Sequence, residues 1–124
     1  MNEYVVDLEI AKELKENGFL QESEFYWSKG GKNKIPKVYH QSQLSKEKRK
    51  YSASISDEIL KELPIVINKF FELHTNKCGD ENYLVEYADY FVNNYDNKVA
   101  FADLKFANAL AKMWLWLKKE GYIK

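Results

Sequence analysis

The stretch from Asp103 to Gly121, DLKFANALAKMWLWLKKEG, constrains the fold more than any other. An α-helix turns about 100° per residue, so side chains three and four apart share a face. With Leu110 as the zero of the helical wheel, Phe106, Ala107, Met113, Trp114 and Leu117 fall within about 60° of it. A stripe this wide has to be buried against other elements. Asp103 is placed to cap the helix start, and Lys118 and Lys119 suit its negative C-terminal end. Gly121 supplies the left-handed residue that ends it, with Leu117 and Tyr122 positioned for a Schellman closure.

Trp116 leaves that stripe. It falls at about 240° on the wheel, beside Lys105, Lys112 and Lys119. Three readings follow, in order of preference. A neighbouring strand or the N-terminal helix covers Trp116, because tryptophan is seldom left in water. Trp116 and Lys112 form part of a protein–protein contact. Trp116 stacks on bases beside the lysines.

The chain opens with a second helix. Asp7 precedes it as a cap, and Leu8, Ala11 and Leu14 recur on one face. Gly18 and Phe19 repeat the closure expected at Gly121 and Tyr122. EFYWS (24–28) and IPKVYH (35–40) predict a hairpin turned by Gly30 and Gly31, with Pro36 pointing to an edge or a strand start. Residues 41–50, QSQLSKEKRK, predict a polar loop free to move. Ser56 caps a short helix that Pro64 stops, with Ile55 placed to staple onto Leu60. IVINKFFELH (65–74), YLVEY (83–87) and KVAFA (98–102) predict a three-stranded antiparallel meander, its turns at NKCGDEN and between Asp89 and Asn97. The reading is a single α+β domain over residues 1–124. Its N- and C-terminal helices and short middle helix pack on one face of a small antiparallel sheet.

Composition fits that architecture. Of 124 residues, 45% are hydrophobic and 15% aromatic, enough to bury a core rather than stay disordered. The single cysteine, Cys78, excludes an internal disulfide and fits a reducing compartment. No apolar run approaches the roughly 20 residues of a membrane helix, so no membrane association is expected. MNEYVVDLE lacks the basic flank of a signal peptide. A cytoplasmic protein is the expectation. Net charge is zero, but it alternates in blocks. Residues 1–24 carry seven acidic and two basic groups, and residues 25–53 carry eight basic and one acidic. Residues 54–97 carry nine acidic and three basic groups, and residues 98–124 two acidic and six basic. Such blocks either complement one another in the fold or leave a basic face open.

Three strings, DLEIAKELKENGFLQESEFYW, SASISDEILKELP and ANALAKMWLWLKKEGYI, occur in this order. Together they resemble a group of small proteins from bacteriophages and prophages of gut bacteria. Members of that group read D-L-E-x-A-K-x-L-K-E-x-G-F-x-Q before an aromatic pair, then A-P-T-x-x-E-L-L-x-x-L-P, then A-x-A-K-M-W-L-x-L-K. The likeness covers most of the chain and is weakest in the strands. Ser54-Ile55-Ser56 stands where the group has Ala-Pro-Thr, an exchange that keeps an N-cap. The resemblance implies an origin in a phage-carrying bacterial host cell. It implies no activity, catalytic residue or cofactor.

The chemistry legible in the residues is sparse. His74 and Cys78 have a spacing that could serve two zinc ligands, but a structural site takes four, and His40 is the only other histidine. A nucleophile pairing Cys78 with a histidine is weaker still, because a cysteine beside a Gly-Asp turn is usually incidental. Gly30-Gly31 reads as a turn and not a phosphate cradle. No catalytic, metal or cofactor site is assigned, and no enzyme is expected. In KEKRKY (46–51), Lys46, Lys48, Arg49 and Lys50 could meet phosphates while Tyr51, Tyr39 or Trp27 stack on bases. A solvated loop is the simpler reading, since the chain carries no positive excess. The expected function is a non-catalytic phage or prophage accessory protein, favoured as a monomer with a homodimer open, that binds a host or phage protein. The alternative is a nucleic-acid-binding module using the 46–50 loop.

Overall fold

The hydrophobic stripe of the last helix finds its cover on three sides. In a computed structural model, which describes residues 2–29, 35–79, 82–89 and 96–123, the chain is α+β with two antiparallel sheets. The helices are α1 (Leu8–Glu16), α2 (Ser56–Leu60) and α3 (Phe106–Glu120). α3 lies on strands β6 (Asn82–Asp89) and β7 (Asp96–Asp103) and packs against α1 and α2. Trp114, Leu110, Met113, Leu117 and Ala107 are buried as the wheel predicts. Asn108, Ala109 and Ala111, outside that stripe, are buried too, because α1 and α2 also flank α3. Phe106 is only half-buried.

Both helix closures form. Phe19 N donates to Leu14 O at 2.8 Å and Gly18 N to Lys15 O at 3.1 Å, while Tyr122 N donates to Leu117 O at 2.9 Å and Gly121 N to Lys118 O at 3.3 Å. Gly18 (φ 87°) and Gly121 (φ 82°) hold the left-handed conformation these motifs require. The N-terminal caps correct the sequence reading. Asp7 stands at the cap of α1, its carbonyl accepting from Ala11 N at 2.8 Å, but its side chain makes no bond to the helix. Lys105 is the cap residue of α3, and Asp103 is the last residue of β7. Ile55, not Ser56, caps α2, and its N–H donates to Glu58 Oε1 at 3.0 Å. Ile55 is extended there because it bridges to Val5 of the N-terminal arm.

The hairpin is β1 (Phe25–Lys29) against β2 (Pro36–His40), with Trp27 opposite Val38. Pro36 begins an edge strand, where its missing N–H costs nothing. The expected turn at Gly30-Gly31 lies outside the described residues. β3 (Tyr51–Ser52) extends this sheet on its other side, giving the order β2-β1-β3. The polar loop before it folds into two 3-10 turns, Gln41–Gln43 and Lys46–Lys48.

The meander belongs to a separate four-stranded sheet, ordered β4-β5-β6-β7. The single strand expected over 65–74 is two, β4 (Val66–Ile67) and β5 (Phe71–Cys78). Asn68 (φ 52°) and Lys69 (φ 70°) reverse the chain between them, a conformation that β-propensity in the flanking residues does not reveal. β6 and β7 run longer than expected, and β5 continues past the expected end at His74 to take in Cys78. A bulge lies at Tyr87/Ala88 in the pairing of β6 with β7. Parts of both meander turns, residues 80–81 and 90–95, lie outside the described residues. Tyr87 is fully buried, and its hydroxyl donates to Pro64 O at 2.7 Å, tying this sheet to the end of α2. Burial pushes that phenol well above the ordinary tyrosine range.

Candidate functional site

The residues around the start of α3 form a clamp between distant parts of the chain. Asn108 is buried, 2% exposed. Its Oδ1 accepts from Asp7 N at 3.0 Å, and its Nδ2 donates to Asp7 Oδ2 at 2.9 Å and to Asp103 Oδ1 at 3.3 Å. Asp103 also accepts from Lys105 N at 2.9 Å and from Lys112 Nζ at 2.7 Å, while Lys105 Nζ pairs with Asp7. Asp7 and Asp103 thus neutralise two of the three lysines expected to form a basic edge beside Trp116. Burial by itself would raise the Asp103 carboxyl, but the Lys112 bond, the Lys105 N–H, the Lys112 charge and the Asn108 amide outweigh it and hold it below the ordinary carboxylate value. A depressed carboxyl stabilises the fold above its unfolded value of 3.8, and that contribution is lost as pH falls through the lower folded value. Acid titration of stability should therefore show a component in this range that Asp103→Asn removes. An unchanged acid limb in the variant would mean that the clamp does not couple to folding.

The clamp positions a cleft. Val5 and Val6 anchor the N-terminal arm in the core, with Val6 N donating to Ser54 O at 3.0 Å, and this places Tyr4 beside the β7–α3 junction. Between the two clamped residues Asp103 and Lys105, Leu104 projects outward and is 68% exposed, while Tyr4 is 63% exposed. Tyr83 and Phe106 stack between them, centroids 5.3 Å apart and 24° from parallel. Glu3, Ser56 and Lys105 supply a polar rim to this cleft of about 310 Å³. The sequence reading missed it. Its residues come from four segments, and Leu104 adjoins the helix signal without belonging to the stripe.

Trp116 is half-buried and stacks on Tyr122, centroids 5.5 Å apart and 20° from parallel. Tyr122, at the C-terminal closure, gives it part of its cover from within the chain. Trp114, by contrast, packs edge-on to Phe19 beyond the end of α1, centroids 5.0 Å apart.

The basic stretch 46–51 docks beside α1. Lys50 N donates to Trp27 O at 3.3 Å, and Lys50 O accepts from Lys15 Nζ at 3.0 Å. Lys15 lies over the Tyr51 ring at 5.2 Å, so that face is occupied. Arg49 Nη2 donates to Gln41 O and Leu44 O at 2.9 and 3.2 Å, with the guanidinium over Tyr26 at 5.2 Å. Its buried Nε finds no acceptor among the described residues. Trp27 is 8% exposed, its Nε1 donating to Val6 O at 3.0 Å. Lys46 and Lys50 line a cleft of about 290 Å³ with Lys15, and Lys50 also lines a smaller one with Lys12 and Tyr51. Lys48 is exposed and lines neither cleft. Tyr39 sits on the edge strand β2, opposite Tyr26.

His74 and Cys78 lie four residues apart along β5, about 13 Å at strand rise. His40 accepts from Ser42 through Nδ1 and contacts Glu24 Oε1 through Nε2 at 3.3 Å, so both ring nitrogens are engaged. Among the described residues, no group of three or more metal-ligating side chains converges, and no helix is long and apolar enough to cross a membrane. A scan against protein-family models and searches of curated proteins and of solved structures found no match to this chain.

Proposed function

We propose that this chain is a non-catalytic accessory protein of a phage or prophage that works in the bacterial cytoplasm by binding a host or phage protein. One observation carries the binding reading: Tyr4 and Leu104, both more than three-fifths exposed, flank the stacked Tyr83–Phe106 pair in a cleft with a polar rim. Large apolar side chains around a pre-formed aromatic floor have the composition of an interface centre, and the clamp limits the ordering cost of binding. The phage attribution rests on the order of the three strings in the sequence. The nucleic-acid reading draws on Lys46 and Lys50, but the faces of Tyr51 and Tyr26 are already taken by Lys15 and Arg49.

The test is capture from phage-carrying cells with nuclease treatment. A protein retained after nuclease should be lost with Leu104→Asp or Tyr4→Asp, while both variants keep the wild-type melting temperature. Affinity for the isolated partner should fall at least about 30-fold, as for an interface residue worth 2 kcal/mol or more. Retention that ignores both substitutions, or that nuclease abolishes, would refute the assignment.

A further inference from the structure

The two acidic and two basic blocks of the chain are not neutralised evenly. Lys105 and Lys112 are paired with Asp7 and Asp103, and Lys12 meets Glu9 at 3.5 Å. Lys15, Lys46, Arg49 and Lys50 have no carboxylate within salt-bridge distance among the described residues, yet all four line one cleft. Two of the four are fixed by backbone carbonyls and not by counter-charges. Lys15 is tied to Lys50 O, and Arg49 to the carbonyls of Gln41 and Leu44. Four cations around one cleft without a carboxylate within salt-bridge distance repel one another, and an anion entering the cleft relieves that repulsion.

We propose that this cleft seats an acidic segment of a partner protein, with Lys15, Lys46 and Lys50 pairing its carboxylates beside the fixed Arg49. Charge complementarity selects the chemistry, and the surroundings select a short carboxylate segment over a nucleic acid. Glu13 and Glu16 are exposed on the same helix as Lys15, and Glu22 lines the cleft itself. At physiological salt a charge is felt over about 8 Å, so the positive region ends within a turn of helix. A phosphate backbone leaving the cleft would run onto Glu13 and Glu16, whereas a segment with two or three acidic side chains ends before them. Trp27 and Tyr26 are less than a tenth exposed, so bases gain no stacking surface from them. This cleft uses none of the residues around Tyr4 and Leu104, so either assignment can fail without the other.

Fluorescence anisotropy with labelled triglutamate and with a labelled 20-nucleotide oligo(dT) tests it. Triglutamate should bind saturably, weaken as salt rises from about 50 to 200 mM, and weaken at least tenfold in Lys15→Gln/Lys50→Gln. Lys46→Glu, an exposed position without bonds to the core, should weaken it comparably with no change in melting temperature. Lys118→Gln/Lys119→Gln should leave it within twofold. Equal weakening in the last variant would show only diffuse charge attraction and overturn the proposal. So would a peptide signal that never saturates, or oligo(dT) binding tighter than the peptide.

Discussion

Trp114→Ala should lower stability by about 3–5 kcal/mol, the range for removing a large aromatic from a packed core. For a domain of this size that corresponds to a fall in Tm on the order of 10–20 °C. Trp114 is 6% exposed and joins elements far apart in sequence, its ring meeting Phe19 beyond the end of α1 while Lys118 covers it at 6.0 Å. Truncation opens a cavity that rigid neighbours on α1 and α3 cannot close. Chemical denaturation of the two tryptophan variants makes the comparison internal. Trp116→Ala removes a half-buried ring that leans on Tyr122 near the chain end, and should cost less than half as much. A loss below about 1 kcal/mol for Trp114→Ala, or equal losses for both, would mean that the packing around Phe19 does not hold the core together.

Asn108→Leu should cost about 2–3 kcal/mol although it places a larger apolar group in a buried position. The amide serves Asp7 through both of its ends and Asp103 through one. Leucine fills the volume but returns no hydrogen bond, leaving the Asp7 N–H and part of the Asp103 carboxylate unmatched where water has poor access. Asp7 is more exposed than Asp103, so solvent recovers some of the loss on its side and keeps the figure near the lower end. A double-mutant cycle with Asp7→Ala should return a coupling of at least about 0.5 kcal/mol, since the two residues share bonds. Additive losses would show that the clamp is only a set of surface contacts. If the clamp also pre-organises the cleft at Leu104, Asn108→Leu should weaken partner capture at temperatures where it remains folded.

The parts of this molecule that were legible in the sequence are those decided within a few residues of one another. The closures at Gly18 and Gly121 depend on a left-handed residue and a bond spanning five positions, and both formed as read. Trp114 was assigned to the core by helical period alone, and Pro36 to an edge by its missing donor. The basic loop and Trp116 were singled out as residues, but their surroundings were not legible, because what meets a helix face or a loop is set by the packing of other elements. The division into two sheets also escaped notice, since alternating apolar residues record that a strand has a buried face and not which strands share a sheet.

The caps show where sequence ends and tertiary structure begins. Asp7 stands at the cap of α1 as read, whereas Asp103 ends β7 and lies three residues before α3, because an acidic group is favourable anywhere near a helix start and does not fix the cap position. Which donors they bond is a separate matter. The Asp7 side chain reaches Lys105 and Asn108, which are 98 and 101 positions away, in place of its own helix because the fold brings these donors within bonding distance. The same holds for Lys15 and Lys50, 35 positions apart and joined at 3.0 Å. Bond geometry and periodicity act along the chain and can be read from it. Charge pairing and cleft formation depend on distances through space, and those exist only once the core has closed around α3.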